Sequence, residues 1–241
     1  MNSFRSRSNS SNRFGLFADF VIIIAGIMVS FLLNEWRENR NKEEKKIVLL
    51  TEIKQDLKAD SLYLYFSEKT YKELQRGHDS MLTFPKKGFH IDSISMYLDY
   101  FVSYMPFKPS ERAYINLTND PDLSIDLTDT NGVDYLINKY SIIRSQLYNS
   151  INEWELIDKN FVLNTTLPYL ETNAPFMHAP PGKSFNGKVF ETVSKDDHFK
   201  NLVKSGALYK SILAQNYALA SRIVGDLQKE INIYLETLSK D

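Results

Sequence analysis

Residues 14–33 read FGLFADFVIIIAGIMVSFLL, and Asp19 is their only charged residue. Coiled as a helix rising 1.5 Å per residue, a stretch of that length spans about 30 Å, the thickness of the hydrocarbon core of a bilayer. The reading is a transmembrane helix over residues 14–34. A buried core helix or a cleaved signal peptide competes with it, because the strictly uncharged run from Phe20 to Leu33 is short for a span. Leu33, Asn34, Glu35, Trp36 and Arg37 offer no small-residue cleavage site, so the segment is expected to stay attached. Arg13 marks the entry to the membrane. Asn34, Trp36 and Arg37 mark the exit, with the indole at headgroup level.

Orientation is set by Lys and Arg beside the span. The tail of residues 1–13 carries Arg5, Arg7 and Arg13 and no acid, while Arg37, Arg40, Lys42, Lys45 and Lys46 follow the span. Basic residues alone favour a cytoplasmic C-terminus. The later ones are interleaved with Glu35, Glu38, Glu43 and Glu44, and the acid-free tail has the pattern of an uncleaved signal anchor. The expectation is an N-terminus inside and a C-terminal domain outside the cytoplasm.

After the span, residues 35–82 contain no proline and one glycine, Gly77. Leu50, Ile53, Leu57, Leu64, Tyr71, Leu74, Met81 and Leu82 recur at helical spacings, which predicts a long amphipathic arm. The charges of ENRNKEEKK alternate in sign, as on a solvated stalk. The heptad Leu50, Leu57, Leu64, Tyr71 would also suit a coiled-coil seam, but its companion positions Lys54, Ser61 and Glu68 favour packing inside the chain's own bundle. Every proline lies between Pro85 and Pro181. Residues 84–88 are expected to break the arm, and Ile91 to Tyr104 to form a helix. Ser110 is expected to cap a short helix through Leu117. A further helix starts at Asp129 or Asn131 and runs to about Leu163, with Trp154 in the core, before Pro168 interrupts it. Residues 171–197 read as a long exposed loop beneath which a small ligand would have room. A second arm runs from His198 to Leu238 and packs back along the first.

The chain has 241 residues, 29 Lys plus Arg, 30 Asp plus Glu and no Cys. The balance argues against a nucleic-acid partner, and the missing Cys removes disulfides, Cys-ligated metal and thiol chemistry. There is no GxSxG, no Walker loop and no GxGxxG. The four histidines lack zinc-ligand spacing, and NDPDLSIDLTDTNG at 119–132 fits no calcium-loop register. No catalytic, cofactor-binding or metal site is expected. Asp19 stands apart, because an ionisable group in a span is a functional hypothesis by default. Either it sits at the inner interface within reach of water, or it couples protons or joins helices together.

ADFVIIIAGIMVSFLLNEW followed by RENRNKEEKKIVLLTEIKQDL resembles a family of uncharacterised bacterial single-pass membrane proteins classed as a domain of unknown function. The specific pattern covers residues 15–60, and where that family has Glu with a neighbouring Gly this chain has Ala18 and Asp19. The resemblance implies an inner-membrane anchor with a helical domain outside, and no known activity. ADF at the head of the span is also similar to the helix of flagellar-motor stator subunits, which implies proton coupling by Asp19, although no peptidoglycan-binding domain of that kind is recognisable here.

The sequence therefore leads to a mainly α protein with one N-terminal transmembrane helix and a helical bundle over 35–241 with two long arms and an irregular middle. Its expected role is non-enzymatic: interaction, scaffolding or ligand sensing at the cell inner membrane, with the periplasmic domain as the reader. Its partners are the lipid bilayer and another membrane protein or a second copy. A proton-coupled, stator-like subunit using Asp19 is the alternative.

Overall fold

The computed structural model describes residues 11–87, 99, 101–121, 123, 125–173 and 187–239. Among them there is no strand. Two compact units are present, residues 1–48 and 49–241.

Helix α1 is Ser11–Lys87. Its part in the first unit exposes every side chain described from Phe20 to Asn41. Arg40 meets Glu44 at 3.3 Å and Lys42 meets Glu38 at 3.0 Å, one turn apart. Exposed pairs of this kind support a helix by about 0.3–0.5 kcal/mol each. The helix passes through Pro85 and ends at Lys87, inside the break expected over residues 84–88.

The second unit is built on three long helical elements. The first is α1 from Leu49. Helices α2 (Arg112–Asn119) and α3 (Val133–Ile142) follow. A π-helical turn (Ile143–Tyr148) joins α3 to α4 (Asn149–Phe161), and a second one (Val162–Thr166) joins α4 to α5 (Leu167–Asn173). Helix α6 is Gly187–Val193 and α7 is Asp197–Leu238. Residues 133–173 thus form one uninterrupted rod. Pro168 does not end it: proline lacks an N–H and crowds the carbonyl four residues back, and the widened turn just before it relieves both demands. The loop expected over 171–197 is shorter than its range, because α6 lies within it and buries Phe190 and Val193; residues 174–186 lie outside the described part of the chain. Most of the expected helix Ile91–Tyr104 also lies outside it, and the described end stops at Val102.

Pairings fix the directions. His78 faces Gly206 and Tyr71 stacks on Tyr217 at 5.4 Å, so α7 runs antiparallel to α1. Lys139 meets Glu230 at 2.7 Å and Asp158 meets Lys210, so the rod also runs antiparallel to α7. The main core joins Leu50, Leu57, Leu64 and Tyr71 of α1 to Ile137, Tyr140 and Ile151 of the rod and to Leu213, Tyr217, Val224 and Ile231 of α7. A second core gathers Met81, Phe101, Leu170, Phe190, Phe199 and Val203. Trp154 is half-buried against the main core. Gly132, and not Asp129 or Asn131, is the cap residue of α3, and Asp129 supports it from three residues upstream by taking the N–H groups of Gly132 at 2.8 Å and Tyr135 at 3.2 Å.

Candidate functional site

Of the residues singled out in the sequence, Arg13 and Asp19 lie in α1, but side chains before Phe20 are outside the described part. Asn34, Trp36 and Arg37 are exposed on the same helix, and the Arg40 guanidinium sits 5.7 Å from the Trp36 ring centroid. Ile23, Gly26, Ile27, Ser30, Phe31 and Asn34 border a shallow groove of about 500 Å³ along this helix. The Ser30 hydroxyl donates to the Gly26 carbonyl at 2.8 Å.

The second unit holds a polar site that the sequence reading missed. Between Val102 and α2 the chain forms neither helix nor strand, and this strap of residues 103–111, with Phe107 buried, is bonded to α1, the rod and α7. A non-repetitive segment packed among helices must have its buried backbone N–H and C=O groups paired. Here side chains do the pairing. The Ser103 carbonyl takes the Lys210 ammonium at 2.5 Å. The Tyr71 hydroxyl donates to the Met105 carbonyl at 3.0 Å and accepts from its N–H at 3.2 Å. Tyr63 donates to the Pro106 carbonyl, and the Phe107 N–H goes to Glu155. The Ser110 N–H reaches Asp60 at 2.7 Å, and its carbonyl accepts from Arg144 at 2.7 Å. Pro106 and Pro109 have no N–H to place and favour an extended backbone.

The register is consistent with chain geometry. From Tyr71 to Asp60 a helix covers about 17 Å at 1.5 Å per residue. From Met105 to Ser110, which these two residues hold, a chain at polyproline pitch covers about 16 Å at 3.1 Å per residue.

Ser110 does not cap α2 as expected. Its hydroxyl instead donates to Asp56 at 2.6 Å, and the second carboxylate oxygen of Asp56 takes the Ala113 N–H at 2.8 Å. A carboxylate from α1 therefore caps α2 from outside, where an anion meets the positive end of the helix dipole. Glu52, one turn earlier, holds Arg112 at 3.1 Å and Asn116 at 2.6 Å.

Asp56 and Asp60 are almost wholly buried. Burial pushes the Asp60 carboxyl up to about 6, against the opposing pull of the Ser110 N–H, the Tyr148 hydroxyl and Arg144. Burial also raises Glu155 and Asp158 and lowers Lys210, and the Asp158–Lys210 ion pair works against it on both partners. Burial drops the His78 imidazole to about 4, while its bond to the Leu74 carbonyl opposes and the Lys210 charge adds to the drop. Asp56, Asp60, Glu155 and Asp158 each face donors that hold the strap or a neighbouring helix. Among the described residues no three His, Asp or Glu side chains gather as metal ligands.

The signal for these residues was the apolar stripe itself. Ile53, Asp60, Ser67 and Leu74 form a second buried heptad beside Leu50, Leu57, Leu64 and Tyr71, and two of its four members are polar. An acid on the buried face of an otherwise apolar stripe marks a group that a distant segment must satisfy.

No curated protein and no solved structure is significantly similar to the chain. Residues 19–83, which run from the acid at the head of the span through the strap-holding residues of α1, match the family of unknown function DUF6090, in keeping with the uncharacterised family that the sequence pattern resembles.

Proposed function

We propose that the chain is a single-pass, membrane-anchored interaction protein, non-enzymatic, with the helical unit from Leu49 presented outside the cytoplasm as a scaffold or ligand-sensing domain. One observation carries the reading. The window of α1 with mean hydropathy 1.6 has none of its residues buried within the chain. Phe20, Ile22, Phe31 and Leu32 are each more than half exposed. Apolar surface left in water costs about 25 cal/mol per Å², so this helix needs a cover, and a bilayer is the cover its length fits. The reading places the anchor in the inner membrane, on the strength of the acid-free basic tail and the sequence resemblance. The strap supports a non-enzymatic role, because the carboxylates Asp56, Asp60 and Glu155 are engaged in holding backbone N–H groups.

The test is topology. Reporters active only inside or only outside the cytoplasm, fused to the C-terminus, should report the outside. Activity of the cytoplasmic reporter would make the second unit a cytoplasmic one and defeat the proposal.

A second reading, a proton-coupled subunit of a motor or transport complex, draws on the register of Asp19. It precedes Gly26 by seven residues and Ser30 by eleven, both close to whole helical turns, which sets it on the grooved face where a partner helix would dock. Asp19→Asn would then abolish ion flux while leaving membrane insertion intact. Unchanged flux in the variant retires the idea.

A further inference from the structure

Beside the strap a cleft of about 930 Å³ opens, with α2 as one wall and the first π-helical turn and the start of α4 as the other. Arg144 lies at its base and is only 8 % exposed. The guanidinium is held between two aromatic rings, 5.0 Å from the Tyr114 centroid and 5.3 Å from that of Tyr148. Among the described residues it donates one hydrogen bond, to the Ser110 carbonyl. The nearest carboxylate oxygen in an ion pair with it, on Glu111, is 3.8 Å away, too far for a hydrogen bond, and Glu111 is itself largely exposed. A guanidinium has five N–H donors, and no Arg144 nitrogen is buried without a partner, so the donors not spent on Ser110 reach solvent. The ring faces attract the charge without accepting these hydrogens at carboxylate strength. Donors therefore remain on the side of Arg144 that lines the cleft.

We infer that the cleft binds a small hydroxylated carboxylate, of the chemistry of a sugar acid, with its carboxylate on Arg144. A carboxylate matches the planar guanidinium fork through two parallel bonds. Lys108, exposed at the rim, adds a second positive charge. Asp60 and Asp56 beneath and Glu111 beside the arginine disfavour a doubly charged phosphate. The volume exceeds that of a carboxylate alone, and Thr118, Asn149 and Asn152 supply hydroxyl and amide groups for the body of the ligand. Arg144 and Tyr148 both lie in the π-helical turn, in line with the frequent placement of such turns at functional sites. This deepens the ligand-sensing form of the proposed function and rests on it only for its cellular use, because the cleft belongs entirely to the second unit.

The experiment uses the full chain in detergent micelles, with galacturonate, gluconate and trigalacturonate as probes and the galacturonate methyl ester as control, read by calorimetry and ligand-observed NMR. At least one acid should bind saturably below roughly 10 mM, and the ester at least about tenfold more weakly. Binding by the trimer alone would assign the acid to a polymer chain, and binding by a monomer to a free metabolite; both support the proposal. Arg144→Lys keeps the charge, loses the fork and should weaken binding about tenfold. Asn152→Trp, on the exposed wall, should fill the cleft and abolish binding with an unchanged melting temperature, and it decides the matter should the Arg144 variant unfold. No binding by any acid at that concentration, equal binding of the ester, or full binding by Asn152→Trp would overturn the proposal. Each of those results leaves the topology measurement untouched, so the two ideas fail separately.

Discussion

Gly206 leaves the room that His78 fills. A Cβ built on Gly206 would stand 2.5 Å from Nε2 and 2.7 Å from Cδ2 of the imidazole. The ring cannot easily yield. Its Nδ1 lies 2.7 Å from the Leu74 carbonyl, and its edge packs against Phe101 with centroids 5.2 Å apart. Glycine in a helix interior costs about 1 kcal/mol relative to alanine, and here the packing accounts for it.

Gly206→Ala is therefore expected to destabilise the protein by about 1–3 kcal/mol through overpacking, despite the better helix propensity of alanine. Gly225 lies in the same helix, and nothing stands within 4 Å of a Cβ placed there. Gly225→Ala should be neutral or stabilise by up to about 1 kcal/mol. Denaturant melts of the two variants separate packing from propensity, and equal effects would refute the steric account.

The Asp158–Lys210 pair is buried on both sides, and Lys210 also holds the strap at Ser103. Removing one partner strands a charge in the core, so Lys210→Met should cost about 3–5 kcal/mol. The double variant Asp158→Leu with Lys210→Met has no charge to strand and should regain most of that loss. A double variant as unstable as the single one would show that the bond to the strap, and not the ion pair, is the stabilising contact.

Asp60 and His78 drive stability in opposite directions over one pH range. Asp60 binds its proton more tightly in the folded state, at about 6 against 3.8, so its contribution is fully present below about 4 and is lost as pH rises through 6. His78 titrates at about 4 against 6.5, so its contribution is present above 6.5 and is lost as pH falls through 4. Asp60 faces Ser110, Tyr148, Arg144 and Asp56, and His78 faces Leu74, Phe101, Gly206 and Lys210. Between pH 4 and 6.5 the two slopes offset one another. Relative to the parent chain, Asp60→Asn should gain stability as pH rises across this window and His78→Gln should gain it as pH falls, each by about 1–3 kcal/mol. Melts of the three proteins at several pH values give the differences directly, and parallel curves would dismiss both assignments.

The heptad Leu50, Leu57, Leu64, Tyr71 was legible in the sequence because apolar periodicity is a local signal, and all four are fully buried. The antiparallel return of α7 followed from the same periodicity. The strap was not legible. Its bonds join residues 34 to 107 positions apart, such as Tyr71 with Met105 and Lys210 with Ser103, and no local pattern encodes them. Asp56 and Asp60 were lost among many helix-face acids for the same reason. Pro168 misled because proline usually ends a helix, and the π-helical turn that rescues the rod has no composition of its own. Arg144 gave no signal in the chain, since its two ring partners come from α2 and from one turn further along the rod.

Gly26 supplies a test of the apolar helix, proposed as the membrane anchor, as a docking element. Nothing lies within 4 Å of a Cβ built on it, so the chain's own packing gives no reason for glycine in a span where Ile and Leu would serve. Between membrane helices the reason is close backbone approach, to which small residues one turn apart, here Gly26 and Ser30, are suited. Gly26→Ala should leave the melting of the second unit unchanged. Gly26→Ile should weaken self-association of residues 11–48 by about 1–2 kcal/mol in a membrane two-reporter assay. Asn34→Leu, on the same groove, should weaken it further, because its amide is the group best placed to bond across the pair. Association that survives both substitutions would mean that another face of the helix, or no second copy at all, meets the anchor.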